Sequence, residues 1–295
     1  MQEAFAAYEA VRKRLPPVQK KGRCVRLPNL DALADDVDVF LLDAFGVLNI
    51  GETAIEGVPE RVERLQMAGK RVLVVSNAAG YPHSNLMEKY KRLGYDFAPE
   101  DVITSRKVAL QALRKQPHQR WGLMATQSLG REDLENLDAV YLAEDLTTYD
   151  SVDAFLLIGS AAWTEQRQSL LEASVLRNPR PVYVGNPDIV APREQGFSTE
   201  PGSYAHRLAD RTGVHPVFFG KPFFNMFELA FAGLEDPDNA RVVMVGDSLH
   251  TDILGGQQAG VKTALIANFG FFADADVIDW IEKSGIHPDY ILDRP

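Results

Sequence analysis

Short apolar runs that end on a polar residue alternate along this chain with stretches of helical period. The run over 37–42 (VDVFLL) reads as a buried strand that stops at Asp43. Apolar positions over 60–68 recur at helical spacing, with Pro59 at the entry and Gly69 just past the end. A second unbroken strand is expected over 71–75, leading into Ser76; a helix over 84–93 stops at Gly94, and a brief strand covers 102–104. The same style returns late in the chain, where strands over 241–245 and 261–266 lead into Gly246-Asp247 and Ala267-Asn268. Strands that alternate with helices predict βαβ units and a parallel sheet.

Between these halves, residues 106–216 carry elements of their own. Strands are expected over 121–125, 154–158 and 182–184, with a helix over 164–176. The simplest α/β architecture is a doubly wound, Rossmann-like parallel-sheet core over 36–105 and 217–295, with an inserted α/β cap domain over 106–216. Residues 1–35 are then an N-terminal helical extension over the core. No internal repeat or low-complexity segment is evident.

Composition narrows the partners. A formal net charge of −10 disfavours nucleic acid and anionic membranes, both of which need clustered Lys and Arg. With a single cysteine, Cys24, no intrachain disulfide is possible, which suits a reducing compartment. No run approaches the ~18 consecutive apolar residues of a membrane helix. The N-terminal stretch has mixed charge and no apolar signal segment. A cytoplasmic protein is expected.

Ligands of open parallel sheets lie at the carboxyl ends of the strands. Four polar clusters follow such ends here: Asp43, Ser76-Asn77, Lys221 after the apolar run 217–219, and Asp247 with Asp252. Each alone has a bland reading as a cap, a turn former or a solvated charge. As a set they suit phosphoryl transfer. A carboxylate can attack phosphorus and divide one hard displacement into two easier ones. A hydroxyl and backbone N–H groups can hold phosphoryl oxygens, a lysine balances charge, and further carboxylates can hold Mg²⁺, which takes few protein oxygens.

This set, in this order, resembles the haloacid dehalogenase superfamily of phosphohydrolases. Its first motif is matched by Asp43-Ala-Phe-Gly-Val-Leu48, its second by Val75-Ser76-Asn77, its third by Gly220-Lys221-Pro222 and its fourth by Val245-Gly-Asp247-Ser-Leu-His-Thr-Asp252. The segment with Leu48-Asn-Ile-Gly51, Ile55-Glu-Gly57, Glu60 and Ala68-Gly-Lys70 resembles the nitrophenylphosphatase-like (NagD-like, class IIA) subgroup. That subgroup carries a large α/β cap between the second and third motifs, and an Asn-x-Asp element matched by Asn186-Pro-Asp188.

The resemblance implies a magnesium-dependent phosphatase acting on a small phosphorylated metabolite through an aspartyl-phosphate. In that reading Asp43 is the nucleophile, and Ser76 and Lys221 bind phosphate. Asn77, Asn186 and Asp188 complete the substrate-binding set. Asp43, Asp247, Asp252 and the Phe45 backbone carbonyl face the metal, Asp252 as a ligand or as a carboxylate supporting the ligands. Cap-mediated dimers are common in the subgroup, so a homodimer is possible.

One position departs from the pattern. Family phosphatases place a second aspartate two residues after the nucleophile, to protonate the leaving oxygen and then deprotonate water. Here that residue is Phe45. Three explanations stay open: a cap residue such as His83, His206 or His215 supplies the proton; the substrate has a good leaving group; or the protein is a slow phosphatase or an inactive phospho-ligand binder.

Overall fold

The computed structural model describes residues 1–193, 196–235, 237–273 and 275–295, and contains two parallel sheets. The larger has seven strands in the order Val25–Leu27, Tyr290–Leu292, Lys262–Ile266, Val242–Gly246, Val39–Leu42, Arg71–Ser76 and Val102–Thr104. Every neighbouring pair is parallel. From Val39–Leu42 the chain winds one way through Arg71–Ser76 and Val102–Thr104. It later returns at Val242–Gly246 and winds the other way. The reversal between Val39–Leu42 and Val242–Gly246 is the switch point, where a doubly wound sheet opens a crevice.

Register carries the motif residues to that crevice. Leu42 stands opposite both Val245 and Val74. Asp43, Asp247 and Ser76 therefore emerge within about a residue of one level. Both sheet faces are covered, which is why these strands are apolar without alternation. Phe40, Leu42, Val72, Val74 and Val245 share one core with helices Val58–Met67 and His83–Arg92. Leu41, Leu73, Val75 and Met244 share another with helices Ser105–Leu113 and Phe224–Phe231. Helices of eight to ten residues are marginal alone. Each fully buried Leu or Phe contributes about 1.5–3 kcal/mol, so packing holds them.

The smaller sheet has the order Val217–Phe218, Val182–Val184, Ala154–Leu157, Trp121–Met124 and Ala139–Tyr141, again all parallel. Its flanking helix Glu165–Arg177 begins where the Thr164 hydroxyl accepts from the Arg167 N–H at 3.2 Å. The result is an α/β doubly wound core with an α/β cap. No helix among the described residues is long and apolar enough to cross a membrane.

Two segments differ from expectation. Residues 1–35 are not purely helical: after helix Gln2–Ala10, Val25–Leu27 adds an edge strand to the larger sheet beside Tyr290–Leu292. Three residues with two of them exposed carry too little apolar pattern to announce a strand. The strand before Lys221, assigned to the core by its place in the chain, belongs to the smaller sheet. Phe218 is buried in that sheet's core, where it stacks on His206 at 4.8 Å and on Phe223 at 5.2 Å.

Candidate active site

Asp43 continues the ladder of its strand, its N–H donating to the Val245 carbonyl at 2.9 Å. Asp247 follows Gly246 on the neighbouring strand, and Asp252 lies in a π-helical turn, Leu249–Ile253. Such turns recur at functional sites, since the extra residue re-aims a side chain. Here it lets the Ser248 N–H donate to Asp252 Oδ2 at 3.1 Å. Oxygens of Asp43, Asp247 and Asp252 lie within 4.8 Å of one another.

Lys221 enters this cluster from the cap side. Its Nζ lies 2.7 Å from Asp43 Oδ1 and 2.7 Å from Asp252 Oδ1, and the residue is 1% exposed. Both contacts are ion pairs rather than aligned hydrogen bonds. Asn77 fixes the lysine backbone, accepting from the Lys221 N–H at 2.8 Å and donating to the Lys221 carbonyl at 2.9 Å. The same amide donates to Asp188 Oδ1 at 2.7 Å. The Ser76 hydroxyl accepts from the Ala78 N–H at 3.3 Å and lines the cavity.

Asp247 sits where no side chain can follow. Gly46 and Gly270 have φ of +75° and +66°, and a Cβ on them would fall 2.6 and 1.9 Å from Asp247 Oδ2. The Phe271 N–H donates to that oxygen at 2.8 Å. The Phe45 carbonyl has no hydrogen-bond donor among the described residues.

Three clustered carboxylates, Asp247 and Asp252 buried and Asp43 partly so, against one ammonium leave two negative charges uncompensated when all are ionised. Burial, reinforced by the Asp43 and Asp252 charges, holds the Asp247 carboxyl well above the usual range. Burial also lifts Asp252 to about 7, against the opposing pull of Lys221. An all-oxygen set with excess negative charge fits a hard divalent cation. A testable consequence concerns stability. Because both folded-state values are raised, the stability these groups contribute is complete below about pH 4 and is lost as pH rises, through about 7 for Asp252. In chelator, the melting temperature should fall over that window, and Mg²⁺ should raise it more at about pH 8 than at about pH 5. Equal increments at both pH values would contradict a carboxylate-held cation.

A cavity of about 1250 Å³ opens over the cluster, lined among others by Asp43, Ser76, Ser160, Asp188 and Tyr204. The candidate residues are brought together, with one qualification of role. Asn186 also lines the cavity, but its Oδ1 accepts from the Asp188 N–H at 3.0 Å and its Nδ2 donates to Glu200 Oε2 at 3.1 Å. It shapes the loop that carries Asp188.

None of His83, His206 and His215 lines the cavity. His206 is buried beneath the cap sheet, and burial lowers it to about 4. Phe45 does line the cavity, half-buried. Sequence reasoning missed Tyr8, a wall residue from the N-terminal helix. Its hydroxyl accepts from the Ile189 N–H at 3.3 Å and donates to the Val190 carbonyl at 3.2 Å. Its ring stacks on His250 at 5.0 Å, and His250 Nε2 lies 2.6 Å from Glu9 Oε1. No motif in the sequence marks Tyr8.

Comparison with known proteins gives the family and the fold. Two family models match, one described as haloacid dehalogenase-like hydrolase over residues 40–139 and one as HAD-hydrolase-like over residues 218–294. Together they cover more than half of the chain. An acid sugar phosphatase of Staphylococcus aureus is 27% identical over 253 residues, spanning 85% of this chain and 92% of that protein. Among solved structures, a possible sugar phosphatase from Cytophaga hutchinsonii aligns with a TM-score of 0.80 at 22% identity, over 92% of this chain and 98% of that one. A 4-nitrophenylphosphatase from Thermotoga maritima aligns with a TM-score of 0.73 at 23% identity, over 89% and 96%.

Proposed function

The chain belongs to the haloacid dehalogenase-like hydrolases, and on that premise we propose that it is a Mg²⁺-dependent phosphatase for a small phosphorylated metabolite, working through an aspartyl-phosphate on Asp43. The observation that carries this reading is the contact of Asp43 with a buried lysine at the switch point, beside two more buried carboxylates.

Asp43 Oδ attacks phosphorus and the bond to the leaving oxygen breaks; water then attacks the aspartyl-phosphate and frees inorganic phosphate. Lys221 holds one nucleophile oxygen and offsets the charge that two anions bring together. The Ser76 hydroxyl, at the cavity wall, is free to donate to a phosphoryl oxygen. Asn77 keeps Lys221 from shifting. Asp43, Asp247, Asp252 and the Phe45 carbonyl would hold the cation, which when bound neutralises charge building on the phosphoryl oxygens.

The test is phosphate release from a panel of sugar, alkyl and aryl phosphates, with Mg²⁺ or with chelator. Turnover that needs the metal is expected on at least one ester. Metal-dependent phosphate binding with no turnover on any member would instead favour a phospho-ligand binder, the reading that Phe45 invites.

A further inference from the structure

Expulsion of an alkoxide from a phosphate ester needs a proton, and the water that follows must lose one. Phe45 can supply neither service, and His83, His206 and His215 do not line the cavity. We propose that Asp188, on the loop between the cap strand Val182–Val184 and the hairpin Val190–Pro192, is the proton donor and acceptor of this site. The proposal rests on Asp43 being the nucleophile.

Geometry sets Asp188 apart from Asp252, Glu200, Glu52 and Tyr8. Its Oδ1 is held at 2.7 Å by Asn77, the residue that also clamps Lys221, whose Nζ touches Asp43. Its Oδ2 has no donor among the described residues, and the carboxyl lines the cavity. Asp252 is fully buried with both oxygens engaged by Ser248 and Lys221. Glu200 is saturated by Arg193, Ser198 and Asn186, and Glu52 is paired with Lys89 and Arg92. The Tyr8 hydroxyl already donates to a carbonyl.

The proton affinity fits as well. Burial lifts the Asp188 carboxyl to about 7, with Asp43 and Glu200 pushing the same way and Asn77 and Lys221 opposing. Tyr8 faces it too, a phenol kept neutral by burial. A group balanced near neutrality can serve as acid and then as base.

The steps balance. As the Asp43–phosphorus bond forms and the ester bond breaks, the leaving oxygen takes the Asp188 proton and departs as an alcohol. The Asp188 carboxylate then takes a proton from water as its oxygen attacks phosphorus and the Asp43–phosphorus bond breaks. Inorganic phosphate leaves and the carboxyl is restored.

Asp188→Asn keeps an oxygen for Asn77 and removes only the proton. On an alkyl phosphate its kcat should fall by ~10²–10⁴. p-Nitrophenolate leaves without a proton. With that ester the variant should release about one equivalent in a burst and then turn over slowly, because only hydrolysis of the aspartyl-phosphate is impaired. The limb of the wild-type kcat profile near neutral pH should vanish, and Asp188→Glu should recover part of the alkyl-phosphate rate. An equal loss on both esters without a burst, or no loss on either, would overturn the proposal even in a variant that melts like wild type. A wild-type protein that turns over neither ester removes the phosphatase reading and this proposal with it. Undiminished turnover in Asp43→Asn would locate the failure in the nucleophile instead.

Discussion

Asp43→Asn should lower steady-state phosphate release at least ~10⁴-fold, since the neutral amide cannot form the covalent intermediate and groups that act as one unit fail together. Loss of folding would not explain that result. Asp43 adds to the repulsion that raises Asp247 and Asp252. The variant in chelator at about pH 8 should therefore melt no lower than wild type, and Mg²⁺ should raise its melting temperature less. Residual activity near the wild-type level in pure protein would show that the phosphoryl group never visits Asp43.

Lys221→Met carries the second large effect, and it acts on stability as well as turnover. The methionine keeps the unbranched, buried shape but deletes the cation that touches Asp43 and Asp252. Removing one partner of a buried ion pair costs about 3–5 kcal/mol, because the remaining charge stays desolvated. Urea unfolding in chelator at about pH 8 should show that loss at an unchanged m-value. At about pH 5 the loss should shrink, since Asp252, lifted to about 7, binds a proton and no longer needs the ammonium. A deficit of equal size at both pH values would mean that packing, not charge, is what Lys221 contributes.

The central strands and the order of the motifs were legible because they are local. Unbroken apolar runs such as 71–75 report burial on both faces, and a polar residue closing each run marks a strand's carboxyl end. The expected strand over 241–245 is observed as Val242–Gly246, a shift of one residue. What was not legible depends on partners distant in the chain. Val25–Leu27 is a strand only because Tyr290–Leu292 offers it a ladder. Asp188 meets Asn77 across 111 positions, and Asn77 meets Lys221 across 144.

The proton problem posed by Phe45 shows the same limit. His83 lies near the second motif in sequence, yet it begins the helix His83–Arg92 and does not line the cavity. The family resemblance makes Asn186-Pro-Asp188 a substrate-binding element. The fold ties the asparagine into the loop's own hydrogen bonds and leaves the aspartate with an open oxygen. Tyr8 could not have been anticipated at all, because its place in the wall depends on the docking of helix Gln2–Ala10 against His250 and the Ile189-Val190 backbone.

The central claim is that the phosphoryl group passes through Asp43. It is tested most directly by mixing the protein and Mg²⁺ with a radiolabelled phosphate ester, quenching rapidly in acid and mapping the label on peptides. The expected result is up to one alkali-labile phosphoryl group per chain, on the peptide that contains Asp43 and absent from Asp43→Asn. Label on another residue, or turnover in which Asp43→Asn keeps pace with wild type, would contradict it.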